Sequence, residues 1–151
     1  MDATDRKILA ELQQDGRLSL TDLGERIGLS LSPCHRRVRA LEESGIITGY
    51  RATIDPKGVG LGFSAIVFVT LRGTDRTSVH DFEEALPKVR EIVRADRLFG
   101  DPDYLLHIIT RDLAAFQQLY DDSLSKLPSV LRLTSTLVMK SVVESRPPSL
   151  W

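Results

Sequence analysis

One short segment decides the fold: Ser32-Pro33-Cys34-His35-Arg36-Arg37-Val38-Arg39-Ala40-Leu41-Glu42-Glu43-Ser44-Gly45. Serine is a favourable helix N-cap and proline suits the first helical position, so the segment predicts a helix capped by Ser32. Gly45 can adopt the left-handed conformation that ends such a helix. The apolar stripe, at spacing i, i+4, i+7, consists of Cys34, Val38 and Leu41. The other side is cationic and carries no acidic residue before Glu42, which suits the DNA major groove, where arginine meets phosphates and guanine edges.

Two further helical patterns precede this segment. The first runs over residues 4–12 and ends near Asp15-Gly16. The second begins at the capping-box pattern of residues 19–22 and ends at Gly28, so only three residues separate it from Ser32. Two short helices joined by a glycine-containing turn, the second of them basic, predict a helix-turn-helix that binds duplex DNA. A plain helical hairpin whose charges face water is the alternative.

Composition excludes several classes of protein. The 151 residues include 42% hydrophobic ones, enough for folded cores, and the formal net charge is −1. A single cysteine allows no intrachain disulfide and no cysteine-based metal cluster. The three histidines lie in unrelated contexts, and no nucleophile–base pair or phosphate loop accompanies them, so we expect neither an enzyme, nor a metal site, nor a cofactor. Without a membrane-length apolar run or a signal peptide, a cytoplasmic location is expected.

The richest glycine and proline segment, residues 56–62, predicts a domain boundary. We therefore expect a DNA-binding domain over 1–55, a linker over 56–62 and a second domain over 63–151. The extended stretch 46–54 would pack beside the helices or form a wing-like arm.

Beyond the boundary the pattern becomes β, α, β, β, α, β, which predicts a ferredoxin-like α+β domain. Strands are predicted over 63–71, 92–99, 104–110 and 130–143. One helix is expected between the cap Thr77 and Pro87, and another, presenting apolar residues as far as Leu127, between the cap Asp112 and Pro128.

The first predicted strand is apolar on both faces, since Ile66 and Phe68 alternate with residues such as Val67. Two helices cover only one face of a four-stranded sheet. The other face therefore needs a second layer, and self-association supplies one. The alternative is that the chain's own N-terminal domain covers it.

The whole chain resembles the Lrp/AsnC, or leucine-responsive, family of transcription regulators. The matching stretches are Asp5–Leu9, Ser32–Glu42, Gly45–Tyr50 and Gly100–Tyr104, in the family's order. The resemblance implies a winged helix-turn-helix followed by a ferredoxin-like, effector-sensing domain. It also implies homodimers through the sheet, often stacked into octamers.

The resemblance also implies where DNA and effector bind. DNA contacts would come from six residues of the reading helix: Ser32, Pro33, His35, Arg36, Arg37 and Arg39. The effector, usually a free amino acid, would lie between dimers against two short segments: Gly100, Asp101, Pro102, Asp103, Tyr104 and Thr134, Ser135, Thr136. Turn N–H groups would hold its carboxylate and Asp101 its ammonium. Pro102 departs from the non-proline residue of many members and removes one N–H donor.

The sequence thus predicts a sequence-specific DNA-binding transcription regulator that responds to a small effector. An effector-independent DNA-architectural protein that oligomerises and wraps DNA is the alternative. A response of assembly or DNA binding to amino acids would distinguish the two.

Overall fold

The computed structural model describes residues 1–143 and 146–149. The chain divides into two compact units. The first comprises Met1–Thr53 together with the described residues from Val143 onward, and the second is Ile54–Val142.

Three α-helices build the first unit: α1 (Ala3–Gln14), α2 (Leu20–Ile27) and α3 (Leu31–Glu43). Asp2 and Asp5 form a reciprocal capping box at the start of α1. Ser19 caps α2, and Gly28 ends it in the left-handed conformation with φ 73°. The helices meet around six buried residues, Ile8, Leu9, Leu23, Cys34, Val38 and Leu41. The apolar stripe predicted for the third helix therefore faces the core, as expected.

The turn between α2 and α3 packs directly on α2. The Leu29 N–H donates to the Gly24 carbonyl over 2.8 Å, and a Cβ on Gly24 would lie only 2.7 Å from the Leu29 carbonyl oxygen. Gly24 is therefore required by this close backbone approach.

The start of α3 differs from the prediction. Ser30, in an extended conformation, is the N-cap, and the helix begins at Leu31 rather than after Ser32. Pro33 then takes the third helical position. Its missing N–H is still one that has no acceptor within the helix, so proline is tolerated there as well as at the first position.

The segment after α3 packs beside the helices and forms no β-strand in residues 46–55. The Ile47 N–H donates to the Leu41 carbonyl over 3.0 Å, and the Ile47 side chain lies against the helical core. The Tyr50 hydroxyl donates to Glu42 Oε1 over 3.0 Å. Ile47 and Tyr50 thus lie beside the helices, whereas residues 51–54 are exposed.

The second unit is a four-stranded antiparallel sheet with two α-helices. Its elements are β1 (Phe63–Leu71), α4 (Arg76–Ala85), β2 (Ile92–Arg97), β3 (Tyr104–Thr110), α5 (Leu113–Asp122) and β4 (Val130–Leu137). The strand order is β2-β3-β1-β4, so the predicted ferredoxin-like order of elements is confirmed. Both helices pack on one face, over a core that includes Val67, Phe82, Leu106 and Phe116.

Several boundaries are corrected. Strand β4 ends at Leu137, not at residue 143, because its neighbour β1 has nearly run out where Leu137 pairs with Ala65. Strand β2 ends at Arg97 rather than residue 99, because the Leu98 N–H turns to donate to the Asp103 carbonyl over 2.7 Å. Strand β2 thus stops where its antiparallel partner β3 begins, and β4 stops near the end of β1, with one further hydrogen bond of 3.0 Å from the Val138 N–H to the Ser64 carbonyl.

The helix boundaries are also corrected. Asp75, not Thr77, caps α4, because its carboxylate reaches the N–H groups of Thr77 and Ser78. Helix α5 ends at Asp122, and a separate 3-10 turn (Leu124–Lys126) carries the chain onward.

The face of the sheet away from the helices is partly exposed and apolar. On β1 it presents Ile66 and Phe68, and on β3 Leu105 and Ile109, all half-buried in the single chain. This open face is the doubly apolar pattern that the sequence predicted for β1.

Candidate nucleic-acid and effector sites

Helix α3 presents His35, Arg36 and Arg39 to solvent. Ser32 is exposed and Pro33 half-buried in the first turn of the helix. The first turn contains no acidic residue, so the positive end of the helix dipole remains uncompensated there.

The arginines of α3 differ in their partners. Among the described residues Arg36 forms no ion pair, whereas Arg39 Nε contacts Glu43 Oε1 over 2.7 Å one turn later. That pair is about two-thirds exposed on both sides, and exposed pairs of this kind are weak and easily exchanged for a phosphate. Arg36 is therefore the α3 arginine that is most available for an external anion.

Arg37 has a different environment. Its Nη1 donates to Asp2 Oδ2 over 2.7 Å and to Asp5 Oδ1 over 2.8 Å. The Asp5 backbone N–H and the Arg37 guanidinium hold the pKa of the Asp2 carboxyl below its usual range. Arg37 thus ties α3 to the capping box of α1, so the DNA contact predicted for it stays a prediction that competes with this structural role.

The β2–β3 turn brings three polar groups together beside β4. The Thr70 hydroxyl lies 3.3 Å from Asp101 Oδ1, and Arg132 Nη2 lies 3.3 Å from the Thr70 hydroxyl and 3.6 Å from Asp101 Oδ1. The Asp101 and Arg132 side chains are 74% and 61% exposed, so both remain accessible. We call Thr70, Asp101 and Arg132 the turn cluster. Of these three residues the sequence indicates only Asp101, because nothing in the pattern of the last strand shows that Arg132 faces the β2–β3 turn.

Thr134 and Thr136 lie on the same face of the sheet as this cluster. They pair with Phe68 and Ile66, the open-face residues of β1, and both are exposed. Ser135 pairs with Val67 and therefore lies on the opposite, helix-covered face. The three-residue segment expected to line one wall is thus divided between two faces.

Asp103 stabilises the turn itself. Its carboxylate accepts a hydrogen bond of 2.7 Å from the Leu71 N–H, and its own N–H donates to the Val69 carbonyl over 2.9 Å. Gly100, with φ 138°, and the half-buried Pro102 shape the same turn. With both carboxylate and amide engaged, Asp103 holds β1 to the turn rather than facing an open site.

Tyr104 points into the core, where it is 2% exposed. Its ring packs on Phe82 with centroids 4.7 Å apart, and its hydroxyl donates to Glu83 Oε1 over 2.7 Å. Burial, followed by the bond to Glu83, raises the pKa of Tyr104 to about 12. An effector on the open face would not reach this side chain, because Tyr104 occupies the other side of the sheet.

No three His, Cys, Asp or Glu side chains within the described ranges are grouped so that they could hold a metal ion. The same portion of the chain has no helix of the length and apolarity needed to cross a membrane.

A helix-turn-helix with a cationic second helix, followed by a ferredoxin-like domain with a polar cluster at one turn, defines a class of protein: a DNA-binding transcription regulator with a ligand-binding domain. Family profiles identify the same two parts. Residues 1–48 match a winged helix-turn-helix DNA-binding profile, and residues 64–148 match the Lrp/AsnC ligand binding domain. The chain belongs to the Lrp/AsnC family, whose members are transcription regulators and not enzymes.

Similar proteins cover nearly the whole chain. A proline dehydrogenase transcriptional activator of Rhodobacter capsulatus is 39% identical over 99% of this chain and 97% of its own length. The leucine-responsive regulatory protein of Escherichia coli is 38% identical over 96% of this chain and 88% of its own. A crystal structure of a Neisseria meningitidis transcriptional regulator in complex with L-Met superposes with a TM-score of 0.90 at 37% identity, covering 95% of this chain and 93% of that one.

Proposed function

We propose that this regulator reads duplex DNA through α3 and that a free amino acid modulates its binding. In this proposal residues 1–55 form the DNA-binding domain, 56–62 the linker and 63–151 the domain for effector binding and oligomerisation. The relatives regulate transcription, and one relative of known structure binds L-Met. A transcription regulator works where the DNA is, so the proposed location is the cytoplasm.

The observation that carries the DNA-binding part is the difference between the two faces of α3. Its buried stripe fixes the helix in the domain, while His35, Arg36 and Arg39 remain exposed. Ser32 and Pro33 would lie nearest the phosphate backbone, because they occupy the helix N-terminus. Arg36 would supply the main contact, since it has no competing carboxylate among the described residues.

The turn cluster supports the effector part of the proposal. A carboxylate and a guanidinium, Asp101 and Arg132, lie 3.6 Å apart and are both accessible. They match the ammonium and carboxylate of a free amino acid. Thr134 and Thr136 share that face and would orient the ligand, with backbone groups of Gly100 and Pro102 close by.

A second copy of the chain is the proposed cover for the open face of the sheet, and further stacking of dimers into an octamer would place turn clusters near one another. A ligand that contacts two subunits binds the assembled state better than the separated one. Its binding energy can therefore shift assembly and DNA affinity together.

The test is a thermal-unfolding screen of the free amino acids, followed by operator binding with the stabilising one. A ligand that binds only the folded state must raise the melting temperature. Asp101→Ala should abolish that shift while leaving effector-free DNA affinity unchanged, whereas Asp121→Ala, an exposed carboxylate on α5, serves as the matched control. If no amino acid changes stability, assembly or DNA binding, the effector-independent architectural function is correct instead.

A further inference from the structure

A cavity of about 430 Å³ lies between α4 and the end of β2, lined by Thr74, Arg76, Val79, His80, Glu83 and Arg97. Arg97 is the last residue of β2 and pairs with Tyr104, whose side chain lies in the core. Directly paired residues share a face, so Arg97 lies on the helix-covered side of the sheet. The turn cluster and the open apolar face belong to the opposite side. This cavity is therefore separate from both.

Helix α4 presents three polar side chains to the cavity. Arg76, His80 and Glu83 have the spacing i, i+4, i+7, so they lie along one face of the helix. Val79, on the same side, is only 8% exposed and forms an apolar floor. Thr74 adds a hydroxyl just before the helix. The wall thus offers several hydrogen-bond donors above a small apolar surface.

Positive charge predominates in the cavity. Within 1–143 and 146–149, Arg76 forms no ion pair, and Arg97 Nη1 has only a 3.8 Å contact with Glu83 Oε1. The Arg97 and Glu83 side chains are 57% and 46% exposed, so this contact is weak and readily exchanged. The same Glu83 oxygen accepts the 2.7 Å hydrogen bond from the Tyr104 hydroxyl. Two guanidiniums and an imidazole therefore face one carboxylate that is already engaged.

We propose that this cavity binds a small anion that carries a phosphate group, with Arg76 and Arg97 donating to the phosphate oxygens and Thr74 and His80 donating further hydrogen bonds. The planar guanidinium fork matches phosphate geometry, and such charge-assisted bonds are stronger than neutral ones. The volume lies within the usual range for small-molecule sites, about 300–1,000 Å³. It exceeds what inorganic phosphate alone would fill, so a phosphorylated small molecule such as a sugar phosphate fits better.

The surrounding charges favour a small ligand over the phosphate backbone of duplex DNA. Asp75, Asp81 and Glu84 lie on or beside α4, outside the cavity, and are exposed. A duplex carries one negative charge about every 1.7 Å along its axis, so its neighbouring phosphates would face these carboxylates. A single phosphate group can enter the cavity and avoid them.

This inference goes beyond the proposed function, because it concerns another class of ligand and does not depend on Asp101. NMR of the full-length protein with ¹³C-labelled histidine tests it, since only one of the three histidines, His80, lines the cavity. At constant pH and ionic strength, ribose 5-phosphate should shift the His80 ring signals saturably, whereas unphosphorylated ribose should not. His35 on α3 and His107 on β3 are internal controls and should not respond over the same concentration range.

Variants should change the affinity in opposite directions. Arg76→Gln and Arg97→Gln each remove one guanidinium and should weaken the ribose 5-phosphate response by about fivefold or more. Glu83→Gln removes the opposing charge but keeps an acceptor oxygen for the Tyr104 hydroxyl, so it should strengthen the response by about twofold or more. A merely structural role of these residues would not produce this reversal of sign.

The controls are matched in residue type and position. Arg94→Gln lies on the same strand as Arg97 but on the open side of the sheet, because Arg94 pairs with His107, which itself pairs with Ile66. Glu84→Gln is adjacent to Glu83 in sequence but outside the cavity. Both variants should retain wild-type affinity for ribose 5-phosphate.

Two further titrations identify the source of the phosphate group. Inorganic phosphate should shift His80 with lower affinity than ribose 5-phosphate, and equal affinity would identify free phosphate as the ligand of the same site. A shift with duplex DNA but with neither small phosphate would overturn the proposal in favour of a DNA contact. Absence of a saturable shift, wild-type affinity in either arginine variant, or no gain in affinity in Glu83→Gln would also overturn it.

Discussion

The Asp103 carboxylate in the β2–β3 turn accepts a 2.7 Å hydrogen bond from the Leu71 N–H at the end of β1, across 32 residues of sequence. It continues the β1–β3 ladder beyond its last backbone pair, which joins Val69 to Tyr104. A side chain here does what a backbone carbonyl does elsewhere in the sheet. The turn is held by this contact, while the neighbouring Asp101 carboxylate stays accessible.

Replacing Asp103 by alanine should therefore lower the free energy of unfolding by about 1–3 kcal/mol, because a partly buried N–H is left without its acceptor. Asp103→Asn keeps an acceptor oxygen and should restore most of the loss. Asp101→Ala should change the free energy of unfolding far less, since that side chain is 74% exposed. Urea unfolding of the three variants measures the difference, and equal stability of Asp101→Ala and Asp103→Ala would contradict the assigned roles.

Two neighbouring arginines of α3 should behave differently. Arg36→Ala removes a solvent-facing cation, so the dependence of DNA affinity on salt should become shallower by about one phosphate contact, at unchanged stability. Arg37→Ala breaks the contacts with Asp2 and Asp5, so its main effect should be a lower melting temperature. Fluorescence anisotropy across a salt series, together with thermal unfolding, separates the two effects. If both variants keep the wild-type dependence of DNA affinity on salt and the wild-type melting temperature, neither residue has its assigned role.

Gly24→Ala should destabilise the DNA-binding unit even though alanine is the better helix former. The added Cβ would lie 2.7 Å from the Leu29 carbonyl oxygen, a backbone atom that cannot swing away. We expect a loss of about 1–3 kcal/mol, as for other overpacked positions. Gly16→Ala, whose Cβ would meet its nearest neighbour at 3.6 Å, is the control and should be nearly neutral in the same unfolding measurement.

Tyr104 predicts how stability responds to alkaline pH. Its pKa is raised to about 12 in the folded protein from the ordinary tyrosine value of 10.0, so the folded state favours the protonated phenol. This contribution is complete below pH 10 and is lost as pH rises through about 12. The difference in unfolding free energy between wild type and Tyr104→Phe should therefore shrink over that window. A difference that stays constant from pH 8 to 12 would show that burial and the Glu83 hydrogen bond do not raise the pKa of Tyr104 in the folded protein.

Phe68→Glu should prevent self-association, because it puts a charge in the middle of the open apolar face. Leu113→Glu places the same charge on the exposed first residue of α5 and is the control. Light scattering after size-exclusion chromatography should give the monomer mass for the first variant only. Wild-type mass in Phe68→Glu would show that this face is covered in another way.

Local signals in the sequence predicted local structure well. The bounds of β1 and β3 follow from largely apolar runs between turns, and Ser19 and Asp112 each cap a helix through the N–H three residues further on. The start of α3 was missed because Ser30 and Ser32 are equally good caps by residue type. Only the backbone conformation at Ser30 decides between them.

Contacts between distant residues limited the site prediction. The acceptors of Arg37 lie 32 and 35 residues away, and nothing in the sequence around α3 indicates them. Similarly, the direction of Tyr104 and Ser135 depends on the strand register, which places both on the helix-covered face. Motif positions thus indicate which segment carries the site, while the register determines which side chains reach it.

Cys34, the only cysteine of the chain, lies on the inner face of α3, is fully buried in the helical core, and has a thiol pKa that burial raises. A thiol reagent can reach it only when the DNA-binding unit opens, because the thiolate is both shielded and disfavoured. The rate of its alkylation therefore reports how often the reading helix detaches from its core. The natural chain, without any added label, thus contains a kinetic reporter of whether DNA or an effector tightens the recognition unit.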